Sequence, residues 1–190
     1  MEEYLLDEDL DYRQAKLLSE ADKFDLDDFY HNKGASSGAV CLITKNQMLM
    51  TDCYSKPNPD SRYGLHYDTA NEMYSAIYGK KLDLNDWEKQ IQKDGNILIR
   101  LSTLSSTIVY LPERITKNQA ELLNNFVKRM NLIIKVDEAY FAKNPIEVVY
   151  WDKINNVLES DINSFETVLN IAMEKMEVEY GKKVHWARKR

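Results

Sequence analysis

Two pairs of short apolar runs constrain the fold most: AVCLIT with MLMTDC, and NILIRLS with TIVYLP. Lys45-Asn46-Gln47 separates the first pair and a Ser/Thr turn the second, so each pair reads as a β-hairpin. AVCLIT is apolar at consecutive positions, which puts apolar side chains on both faces of its strand, as in a buried one. Ile97, Ile99 and Leu101 share one face of the second hairpin, and Pro112 ends it.

Amphipathic helices alternate with these hairpins. Thr116 and Gln119 have the spacing of a capping box, ahead of a stripe formed by Leu122, Leu123, Phe126, Val127 and Met130. Thr69 and Glu72 repeat that spacing before Met73, Tyr74, Ile77 and Tyr78, with Gly79 closing the helix. A short helix around Trp87 and Ile91 ends at Gly95. LIIKV and IEVVYW read as a third strand pair, before a helix from about 163 to 180 that buries Phe165, Val168, Leu169, Ala172 and Met176.

The pattern is two strands then a helix, three times over: 38–79 with an extra helix at 84–93, 95–131 and 132–180. No side-chain identity links the three as a sequence repeat. The expected fold class is α+β, a mostly antiparallel sheet built from hairpin–helix units, with helices on one face. Nothing signals βαβ crossovers, and neither GxGxxG nor GxxxxGK[ST] occurs.

At 190 residues the chain is expected to form a single domain without disulfide or metal staples. Its parts are an acidic helix and loop (1–37), the α+β core (38–180) and a basic tail (181–190). The first part places Leu10, Leu17, Ala21 and Phe24 on one stripe of a helix over 8–24, with Asp7 as N-cap, followed by a loop through DLDDFYHNKGASSG.

Two cysteines, Cys41 and Cys53, are too few for a disulfide framework and fit a reducing compartment. The opening MEEYLLDEDLDY does not read as a signal peptide, and no run approaches the length of a membrane span. A cytoplasmic, soluble protein is expected.

Charge is polarised along the chain. Residues 1–30 carry 11 acidic and 3 basic side chains, whereas 181–190 carry 5 basic and none acidic. The acid-rich segment, with Asp22, Asp25, Asp27 and Asp28, reads as a surface for a protein partner of basic character. Tyr54, Tyr63 and Tyr67 join it as candidate contacts, because tyrosine buries area while keeping a polar tip.

Asp25, Asp27, Asp28 and His31 also carry the ligand types of a hard divalent cation, and so supply an alternative reading as a metal-dependent hydrolase or nuclease. The spacing matches no EF-hand. Lys182, Lys183, Trp186, Arg188, Lys189 and Arg190 supply a second alternative, nucleic-acid contact through cations and one stacking ring. Cys53, His66 and Asp68 have the residue types of a nucleophile, base and orienting carboxylate, but no family signature surrounds them. His66 is expected to pack or hydrogen-bond near a helix start. No pattern calls for a catalytic group, a cofactor or a resident metal, so the leading expectation is a non-enzymatic binding or inhibitory protein.

GLHYDTANEMYSAIYGK and LPERITKNQAELLNNFVKRM, each a capped helix after a strand-like segment, resemble segments of small uncharacterised proteins of phages and mobile elements in Gram-positive bacteria. The resemblance covers residues 38–131. It implies accessory proteins that bind host machinery, anti-CRISPR inhibitors of nucleic-acid-handling complexes among them, and it assigns no functional residue.

Overall fold

Val40 and Leu42 point to one side of a sheet and Ala39, Cys41 and Ile43 to the other, and all five are buried. Successive strand side chains alternate in direction, so a strand apolar at every position needs cover on both faces. A computed structural model describes residues 21–31, 38–53, 65–151, 157–159, 165–175 and 177–178. The expected helix over 8–24 lies outside them except for its last residues.

Six strands form the main sheet: β1 (Gly38–Ile43), β2 (Met48–Asp52), β3 (Ile97–Ser102), β4 (Ile108–Leu111), β6 (Glu147–Tyr150) and β7 (Val157–Glu159), in the order β2-β1-β3-β4-β6-β7. Both expected hairpins form, and β1 pairs β3 antiparallel with Cys41 opposite Ile99. The sheet is mostly antiparallel, and the fold is α+β. Two short strands, β5 (Arg114–Ile115) and β8 (Glu177–Val178), pair parallel in a separate ladder.

Helices cover both faces, where one face was expected. The helices are α1 (Leu26–His31), α2 (Leu65–Tyr78), α3 (Trp87–Lys93), α4 (Lys117–Val136), α5 (Glu138–Lys143) and α6 (Phe165–Lys175). Met73 and Tyr74 of α2 and Trp87 and Ile91 of α3 pack with Val40, Leu42 and Leu98 on one face. Phe29 of α1, Phe126 of α4, Phe141 of α5 and Phe165 of α6 pack with Cys41, Ile99 and Val148 on the other.

The third hairpin–helix unit is not formed. LIIKV, read as a strand because of its β-branched residues, is the end of α4. Phe126, Val127, Met130, Ile133 and Ile134 continue one helical stripe and are all buried, so the 3.6-residue period outweighs local β-propensity. After α4 and α5 the chain enters β6 parallel to β4, with Val109 opposite Val148. This is a helical crossover of the kind the sequence did not signal, and β7 then pairs antiparallel with β6.

Smaller corrections follow the same logic. DLDDFYHNKGASSG contains α1, because Leu26 and Phe29 both find apolar cover. α2 begins at Leu65, so Thr69 lies inside it and the Thr69–Glu72 capping box is not realised. α6 ends at Lys175, and Glu177–Val178, expected to be helical, pair with β5; Met176 lies outside the described residues.

The Thr116 box is realised in full. Gln119 N–H donates to Thr116 Oγ1 at 3.0 Å, and Thr116 N–H donates to Gln119 Oε1 at 2.9 Å. The same buried amide donates through Nε2 to the carbonyls of Gly95 and Ile43. One side chain therefore starts α4 and fixes it to the sheet. Gly79 and Gly95, at φ of 69° and 82°, occupy the left-handed conformation that ends a helix.

Candidate functional site

α1 is short, and its place is set by what it packs against. Asp25 Oδ1 accepts from Asp28 N–H at 2.9 Å, an N-cap for the helix. Phe29 is buried at its centre, with the Tyr30 ring 4.9 Å away edge-on, and Tyr30 Oη and Thr107 Oγ1 are 2.8 Å apart. Ahead of α1, a 3-10 turn at Ala21–Lys23 is held from α4: Arg129 donates to the Ala21 carbonyl at 2.7 Å and also to the Phe24 carbonyl. The described end of the acidic segment, from Ala21 on, is thus fixed against α4.

Between them runs an open groove of about 550 Å³. Lys23, Phe24, Asp25, Leu26 and Asp27 line it from the α1 side, and Arg129, Leu132, Ile133 and Val136 from α4. Leu132 is 61% exposed and Val136 71%, one helical turn apart. They are the two apolar residues of LIIKV that fall off the buried stripe of α4. The groove therefore places two exposed apolar side chains beside two carboxylates, Asp25 and Asp27, and two cations, Lys23 and Arg129.

Sequence reasoning placed Asp25 and Asp27 here and missed Leu132 and Val136. The signal was present: extending the Phe126–Met130 stripe by one heptad buries Ile133 and leaves Leu132 and Val136 outside it. Asp22 lies in the Ala21–Lys23 turn, with its side chain outside the described residues. Asp28 lies in the first turn of α1.

Of the three candidate tyrosines, Tyr67 is described, and it does not lie at this groove. Tyr67 is half-buried on the opposite face of the sheet, where its hydroxyl donates to the Leu82 carbonyl at 3.3 Å and its ring meets Trp87 edge-on. These contacts hold Tyr67 against α3 and the loop before it. Tyr54 and Tyr63 lie outside the described residues, as do Lys182, Lys183, Trp186, Arg188, Lys189 and Arg190.

The candidate metal ligands are engaged with each other and with the backbone. Asp25 caps α1, while Asp27 Oδ1 lies 2.9 Å from His31 Nδ1. Among the described residues, no three His, Cys, Asp or Glu side chains come close enough to hold an ion.

Cys53 and His66 both lie close to Gly38. A Cβ added to Gly38 would lie 3.0 Å from the His66 ring and 3.4 Å from Cys53 Sγ, so glycine leaves room for both. His66 Nε2 donates to the Leu101 carbonyl at 2.6 Å, which fixes the start of α2 to β3. Burial pushes the Cys53 thiol up to about 11, against a lowering hydrogen bond from Thr69, and Asp52 and Asp68 add to the rise. Burial also lowers the pKa of His66. Burial disfavours the Cys53 thiolate, and the His66 ring is engaged by the Leu101 carbonyl.

On the same face Arg100 pairs with Glu88 of α3 at 3.0 Å, approaches Tyr110 Oη at 3.3 Å and lies 5.3 Å from the centre of the Trp87 ring. These contacts tie α3 to the sheet.

Compared with known proteins, the chain matches no family model, no curated protein and no solved structure. The described residues form an α+β fold with an open groove between α1 and α4, lined by apolar side chains and by Lys23, Asp25, Asp27 and Arg129. None of the described helices is long and apolar enough to cross a membrane.

Proposed function

We propose that this is a non-enzymatic binding protein that engages a protein partner of basic character through the groove between α1 and α4. The observation that carries this reading is the pair Leu132 and Val136, exposed on α4 next to Asp25 and Asp27. Apolar contact supplies affinity at such a surface, and carboxylates at its edge steer a basic partner and select against acidic ones. The first 30 residues of the sequence are also rich in acidic side chains. In its narrower form the proposal is inhibition of a nucleic-acid-handling complex, in which carboxylates stand where phosphates would lie in a basic channel.

The test is crosslinking and affinity purification from the native host with the wild-type chain and a Leu132→Ser/Val136→Ser variant, both confirmed folded by thermal melts. Proteins held by the wild type and lost with the variant support the reading. An identical set recovered with both overturns it.

A further inference from the structure

We draw no further inference here: the strongest candidate, the open groove between α1 and α4 beside the exposed Leu132 and Val136, belongs to the site already described, and with Lys23 and Arg129 offsetting Asp25 and Asp27 along its lining nothing in the structure shows what covers it.

Discussion

Arg129 on α4 donates a 2.7 Å hydrogen bond to the carbonyl oxygen of Ala21, far away in sequence, and a second bond to that of Phe24. One guanidinium fork thus sets the spacing of the groove walls. Replacing it with alanine removes two charge-assisted bonds and leaves the carbonyls to find water. Arg129→Ala is expected to cost about 2 kcal/mol in urea denaturation, with Arg129→Lys intermediate because an ammonium lacks the planar fork. A loss below about 0.5 kcal/mol would mean that Leu26, Phe29 and Tyr30 hold α1 without help from Arg129.

Phe126 is fully buried, and its ring lies 5.8 Å from that of Phe165, edge-on. Phe126→Ala is expected to destabilise the protein by about 3–5 kcal/mol, the usual range for emptying a large aromatic site. Denaturant melts measure this directly, and a change under about 1 kcal/mol would contradict the observed packing.

Gly38 admits the His66 ring at a distance that a methyl group would violate. Gly38→Ala is therefore expected to push the imidazole off the Leu101 carbonyl and to cost about 1–3 kcal/mol, as overpacking does. Alanine at this position with unchanged stability would show that the ring can move away freely.

His66 also makes stability depend on pH in a definite direction. Burial lowers its folded pKa below the ordinary 6.5, Arg100 adds to the lowering, and the bond to Leu101 opposes it. The unfolded chain then binds a proton more readily than the folded one. The contribution is complete above about pH 6.5 and declines as pH falls from there toward the folded value. Urea midpoints at pH 7.5 and 5.5 should fall more for the wild type than for His66→Gln. Equal declines would remove His66 as their source.

Neutralising Asp22, Asp25, Asp27 and Asp28 to Asn should leave the fold intact, because asparagine at position 25 still caps α1. With a basic partner in hand, the association rate should drop and its salt dependence flatten. Stopped-flow association at two ionic strengths measures both, and unchanged slopes would exclude these carboxylates from recognition.

The hairpins, the Thr116 box and the core stripe of α4 were legible because local pattern and final structure agree there. The misread segments are those in which two signals compete. Leu132, Ile133, Ile134 and Val136 have strand propensity, yet they continue a helix whose period is set sixteen residues earlier at its cap. The same ambiguity hid the site, because a strand alternates its faces and would not have separated Leu132 and Val136 from Ile133 as the exposed members. Gly38 gave no sign of its role: the approach of His66 and Cys53 depends on which strand lies beside α2, a relation that no local window contains. The layer of helices on the second face was signalled only by AVCLIT being apolar throughout.

The parallel pairing of β4 and β6 also leads us to expect an order of assembly. Val109 and Val148 become neighbours only when the intervening chain is compacted, and α4 accounts for much of it. A coil of that length loses considerable entropy when its ends are joined, whereas a helix about 30 Å long that starts at its own cap and lies on β1 shortens the search. We therefore expect α4 to form before the second half of the sheet, so that φ-values at Phe126 exceed those at Val109 and Val148.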